Sequence, residues 1–133
     1  MRLLVADGVL DQFVGHAREC LPHEACGFLV GHGESAERFL AAPNVLKSPT
    51  AFSVEPQFLF ELFRTLRTEG ESLVAVCHSH PSGMAIPSPR DIREAHYRDV
   101  AHVIVSFADE SPVIGAFRIA GAWAVPIELH AIV

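Results

Sequence analysis

The chain has 133 residues, with 10 Lys+Arg against 16 Asp+Glu, a formal net charge of −6, and half of its residues apolar. That combination fits one domain with its own core, residues 1–133. It excludes a TIM barrel, which needs about 250 residues, and a disordered chain, which has too few apolar residues to fold. The acidic balance argues against nucleic-acid and anionic-membrane partners, which both attract basic surfaces.

Arg2 is followed by only four apolar residues before Asp7, too short a run for a signal-peptide core. Val9, Leu10, Phe13, Val14 and Ala17 form a helical stripe from Val9 to Cys20, and Pro22 stops it. Ala25 to Val30 predicts a buried strand that ends at Gly31 and Gly33, with Arg38 to Ala42 as its hairpin partner. Residues 42–50 are a loop containing Pro43, Asn44, Ser48 and Pro49. Glu55-Pro56 opens a helix with Phe58, Leu59, Leu62, Phe63 and Leu66 on one face, closed by Gly70. Leu73 to Cys77 is a second apolar strand, Pro81 to Pro89 a proline-rich loop, and Asp91 to Tyr97 a short helix. Strands follow at His102 to Phe107, Val113 to Ile119 and Trp123 to Ile127.

The order α-β-β-α-β-α-β-β-β predicts an α/β fold, a single-domain mixed sheet flanked by helices. The longest uncharged apolar stretch, residues 119–127, holds Gly121 and Pro126 and falls well short of the roughly 20 residues of a membrane helix. Cys20, Cys26 and Cys77 are odd in number and form no Cys-x-x-Cys pair, so the expectation is a reduced, cytoplasmic protein without disulfides or a thiolate zinc knuckle.

The chemistry concentrates in Cys77-His78-Ser79-His80-Pro81 and in Pro87-Ser88-Pro89-Arg90-Asp91. Side chains alternate along a strand, so His78 and His80 leave the same face and their nitrogens can converge on one metal. Asp91, in the first turn of the next helix, can swing back as a third ligand. Three protein ligands leave a fourth tetrahedral position open, the mark of a catalytic rather than a structural zinc. Such a site needs a proton carrier. If the strand from Ala25 lies beside the one ending at His80, Glu24 reaches the metal without coordinating it and acts as general base. Ser88 would stabilise the oxyanion. The plainer reading of Ser88-Pro89-Arg90-Asp91 is a helix cap, and Ser88 can serve both purposes.

Glu24, then His78-x-His80, seven residues, then Ser88-x-x-Asp91, resembles the signature of the JAMM/MPN+ metalloproteases, in their small stand-alone prokaryotic form. The segment from Pro22 to Gly31, Pro43-Asn44, Phe52 and the helix after Pro56 follow the same pattern. The resemblance implies the JAMM/MPN (cytidine-deaminase-like) fold and one Zn2+ per chain, with His78, His80 and Asp91 as ligands and Glu24 and Ser88 as catalytic groups. It also implies hydrolysis of a peptide or isopeptide bond at the C-terminal glycine tail of a ubiquitin-like, sulfur-carrier protein, the tail adding as a strand to an exposed sheet edge. The alternatives are a non-catalytic scaffold of the same fold, or a zinc amidase or peptidase acting on small peptides. The motifs of zinc deaminases and of zincins are both missing.

Around the site, Cys26 shares the parity of Glu24 but reads more simply as a small buried residue, and Cys77 as core. Ser79 is expected to point away from the metal and to bond locally. Met84 reads as an exposed loop residue, with substrate contact as the alternative, and Trp123 as a packing residue.

Overall fold

In the computed structural model, residues 2–132 are described. The elements in chain order are β1 (Arg2–Ala6), α1 (Val9–Cys20), β2 (Cys26–His32), β3 (Ser35–Ala42), α2 (Pro56–Glu69), β4 (Ser72–His80), α3 (Pro89–Arg93), β5 (Ala101–Ser106), β6 (Val113–Ala120), β7 (Trp123–Pro126) and β8 (Glu128–Ile132). The strands form one mixed sheet in the order β7-β6-β5-β4-β2-β3-β1-β8. The hairpin β2–β3 is antiparallel, as the turn residues predict, and β2 also pairs antiparallel with β4. β4 and β5 are parallel, with α3 on the connection between them.

Two apolar clusters cover the two faces. α1 contributes Phe13 and Ala17 to the first, against Leu29, Cys77 and Val103. α2 contributes Leu62 and Leu66 to the second, against Phe28, Val30 and Val76. Strand alternation explains most of the division: Cys26, Phe28, Val30 and Val76 face α2, while Leu29, Ala75 and Cys77 face α1, and the register shift between Leu29 and Val30 puts Leu73 on the α2 side and Val74 on the α1 side. Both longer helices end as their sequences dictate. Pro56 occupies the first turn of α2, and Gly70 closes it at φ 69°, a left-handed position that glycine adopts without strain.

Gly27 shows how closely the strands approach. A Cβ there would lie 2.6 Å from the Phe39 ring and 2.7 Å from the Leu40 carbonyl oxygen. Bare backbone at this point lets Phe39 lie across the sheet and meet Phe13 at a centroid distance of 5.5 Å. Gly27→Ala is therefore expected to destabilise the fold by about 1–3 kcal/mol, as overpacking does, read as a shift in the denaturant midpoint.

Several expectations change. β1 and β8 are strands that the sequence did not announce; they pair with each other in parallel register, Leu3 beside Leu129. α3 starts at Pro89 and ends at Arg93, four residues before Tyr97. Trp123 does not pack: it is 76 % exposed on β7, an edge strand most of whose side chains are exposed.

Candidate metal centre

β4 lies between β2 and β5, and its C-terminal end carries both histidines. Cys26 of β2 is in register with His78, while Ile104 and Ser106 of β5 are in register with His78 and His80. With neighbours bonded on both sides, the end of β4 is a rigid platform. His78 and His80 leave it on one face, and both are buried.

Asp91 arrives from α3 through a reciprocal cap. The Ser88 hydroxyl oxygen accepts from the Asp91 backbone N–H at 3.0 Å, and Asp91 Oδ2 accepts from the Ser88 N–H at 2.8 Å. The helix-cap reading of this tetrapeptide holds, and the same capping geometry turns the Asp91 carboxylate toward the end of β4, where a ligand would have to stand.

The result is a triangle of electron-pair donors. His78 Nε2, His80 Nε2 and Asp91 Oδ2 lie 3.1 Å from one another in all three pairings. Three such atoms repel unless protons or a cation sit among them. A tetrahedral cation 2.0–2.1 Å from each donor requires separations of about 3.3 Å, close to those found. Two imidazoles and one carboxylate also suit zinc in their chemistry. The residues fit the metal.

Charge and burial act on the three groups differently. Burial pushes the His78 ring below the usual histidine range, so it stays neutral and ready to ligate. For His80 burial acts the same way, but hydrogen bonds to Asp91 and to the Met84 carbonyl outweigh it and raise the ring. Burial alone would raise the Asp91 carboxyl; bonds to both histidines overcome it and hold the group well below the carboxylate range.

Glu24 lies just before β2, 4 % exposed, with Oε1 buried and without a hydrogen-bond partner among the described residues. An unpaired buried carboxylate oxygen is costly and implies a missing partner. Desolvation, reinforced by the Asp91 charge and opposed by His80 and Arg90, raises the Glu24 carboxyl to about 7. The backbone around it is fixed from three directions. Its N–H donates to the Ser48 carbonyl at 2.8 Å, its C=O accepts from the Asn44 side-chain amide at 3.0 Å, and the next N–H, of Ala25, donates to Ser79 Oγ at 2.8 Å.

Ser79 points away from the metal face, as alternation requires, but its bond is not local: it ties β4 to a segment 54 residues away. Asn44 is a second tie, bridging Glu24 and Ala51 through its amide and accepting from the Leu46 and Ser53 N–H groups through Oδ1. Pro43-Asn44 was readable as a loop, but no local sequence signal announces these long-range bonds.

Beside the triangle lies a cavity of about 580 Å3, bordered by Phe28, Phe52, Tyr97 and Ile104, with His78 and Asp91 in its wall. The Phe52 ring stacks on His78 at 4.7 Å. Cys26 lines the same cavity, and burial pushes its thiol up to about 12, which removes it as a thiolate nucleophile. Burial also raises the Cys77 thiol, which packs in the core as expected. His102 lines the cavity too and donates from Nε2 to the Tyr97 carbonyl at 2.9 Å. Met84 is 69 % exposed on the loop beyond His80.

Residues 6–120 match the model of a family described as prokaryotic homologs of the JAB domain. A "Probable TtuB-protein conjugate cleaving protease" of Thermus thermophilus is 44 % identical over 103 residues, 77 % of this chain and 68 % of the relative. A "CysO-cysteine peptidase" of Mycobacterium tuberculosis is 31 % identical over 109 residues, 80 % of this chain and 75 % of the relative. A solution structure of a Desulfitobacterium hafniense protein superposes with a TM-score of 0.86 at 29 % identity, covering 99 % of this chain and 93 % of that one.

Proposed function

The chain belongs to the prokaryotic JAB-domain family, and from that premise we propose that it is a zinc-dependent peptidase. It hydrolyses the peptide or isopeptide bond at the C-terminal glycine tail of a ubiquitin-like, sulfur-carrier protein. The observation that carries this reading is the 3.1 Å triangle of His78, His80 and Asp91 together with the unpartnered buried oxygen of Glu24. The names of the Thermus and mycobacterial relatives, a conjugate-cleaving protease and a peptidase acting on CysO-cysteine, support the substrate class.

His78, His80 and Asp91 would hold the zinc, and the chemistry it would supply there is that of a Lewis acid that polarises a carbonyl and acidifies water. Glu24 takes a proton on its carboxylate and returns it to the leaving amine. Burial raises this carboxyl in the metal-free protein, and a carboxyl that can both take and give a proton suits the two transfers. The Ser88 oxygen accepts in the cap, which leaves its O–H proton free to donate to the developing oxyanion.

The tail cannot add as a strand to β4, which has neighbours on both sides; the edges of the sheet are β7 and β8. Its route is the cleft between the 43–55 loop and α3, where Leu46, Ser53, Pro87 and Arg90 stand around the cavity. In this reading residues 1–133 act as one metallopeptidase domain. Three cysteines without a disulfide support a cytoplasmic setting; among the described residues, no helix is long and apolar enough to cross a membrane.

The test uses a ubiquitin-like carrier extended beyond its terminal Gly-Gly, followed by mass spectrometry. The expected product is the carrier ending in glycine, formed with zinc and abolished by a chelator. An intact carrier in the presence of zinc contradicts the proposal, and cleavage of short amide peptides alone would move the assignment to a small-peptide amidase.

A further inference from the structure

His80 Nδ1 lies 2.6 Å from the Met84 carbonyl oxygen, on the loop that joins β4 to α3. A carbonyl only accepts, so Nδ1 carries the proton and Nε2 is left as the ring's metal-binding atom. The other histidine has no such fixture. His78 Nδ1 is buried without a hydrogen-bond partner among the described residues, and its ring is held by stacking on Phe52. Of the two imidazoles, only His80 has its outer nitrogen fixed by a hydrogen bond.

Two residues far from the sequence motif hold that carbonyl in place. Ser106, 4 % exposed and in register with His80, donates its hydroxyl proton to the Gly83 carbonyl. The Ser106 oxygen accepts from the Ala108 N–H at 3.1 Å, which orients the hydroxyl. On the other flank the Ala85 carbonyl lies against Gly115 of β6, where a Cβ would come within 2.5 Å of that oxygen and 2.7 Å of the Phe117 ring. The backbone is thus held on both sides of Met84, while the Met84 and Ile86 side chains point to solvent.

We infer that Ser106 and Gly115 are positioning residues for the metal: they seat the 83–85 backbone so that the Met84 carbonyl locks His80 with Nε2 toward the cation. The inference rests on the reading of His80 as a ligand. Outer partners of metal-bound histidines typically contribute 10–100-fold in affinity.

Ser106→Ala is accordingly expected to bind zinc roughly 10–100-fold more weakly in competition with a chromophoric chelator. In the zinc-loaded variant the exchange-protected Nδ1–H proton of His80 is expected to disappear from the NMR spectrum. A merely structural role for Ser106 would move the melting temperature but not this proton. Ser106→Thr, which keeps the hydroxyl, is expected to restore both signals. Gly115→Ala displaces the loop from the opposite side, is expected to weaken zinc in the same direction, and stands in if Ser106→Ala does not fold. Zinc affinity within about twofold of the parent in either folded variant, with the His80 proton still protected, overturns the positioning role alone. A parent chain that binds no zinc overturns the ligand reading on which it rests.

Discussion

Glu24→Gln is expected to bind zinc as tightly as the parent chain and to lose roughly 10²–10⁴-fold in kcat, the range that a positioned general base supplies. The metal triangle does not use Glu24, so zinc content is the control that separates a lost proton carrier from a lost metal. The same substitution has a second consequence in the metal-free protein. The folded-state pKa of Glu24 is raised from 4.5 to about 7 by desolvation, opposed by His80 and reinforced by Asp91. An acid whose folded pKa is raised is destabilising once ionised. The penalty is absent below pH 4.5, grows as pH rises, and is complete above 7. At 1.36 kcal/mol per unit it reaches at most about 3 kcal/mol. Metal-free Glu24→Gln is therefore expected to be more stable than the parent above neutrality, by up to that amount, and to lose the advantage near pH 4. Urea unfolding at the two pH values reads it. An advantage of equal size at both would assign the effect to packing rather than to ionisation.

Asp91→Ala has the other large expected effect. Asp91 Oδ2 is one of three donors in the triangle and also accepts from the Ser88 N–H, so its removal opens the metal site and unties the start of α3. Zinc affinity is expected to fall by more than the roughly 10–100-fold that losing an outer partner costs. Activity should fall with it and not recover at millimolar zinc. Asp91→Asn is expected to retain an oxygen for Ser88 but to lose the negative charge, so it should keep more helix than Asp91→Ala while still losing most of the metal. Isothermal titration with zinc and far-ultraviolet circular dichroism measure the two losses separately. Full zinc affinity in Asp91→Ala would remove this residue from the metal site.

The site was more legible in the sequence than the fold around it, for physical reasons. His78 and His80 share a face because strand side chains alternate, and Asp91 turns back because Ser88-Pro89 starts a helix; both are local rules that a few residues express. The helices at Val9–Cys20 and Pro56–Glu69 carry their own periodicity and terminators, and they form where the pattern put them. β1 and β8 carry no comparable local signal. Each is five residues long and owes its strand character to pairing across the whole length of the chain, Leu4 beside His130. The same holds for Ser79, whose bond to Ala25 exists only because β2 and β4 are neighbours, and for Ser106, which meets Gly83 only once the loop has folded over β5. Trp123 misled in the opposite direction: an aromatic residue in a strand pattern suggests packing, but β7 carries its side chains largely uncovered, Trp123 and Val125 both exposed.

The most direct measurement is an anomalous-scattering map of zinc-loaded crystals, recorded at the zinc absorption edge. A single peak is expected inside the triangle, within bonding distance of His78 Nε2, His80 Nε2 and Asp91 Oδ2, with the Glu24 carboxylate nearby but not coordinated. A peak elsewhere on the molecule, or a Glu24 oxygen bonded to the metal in place of any of the three, would contradict the account.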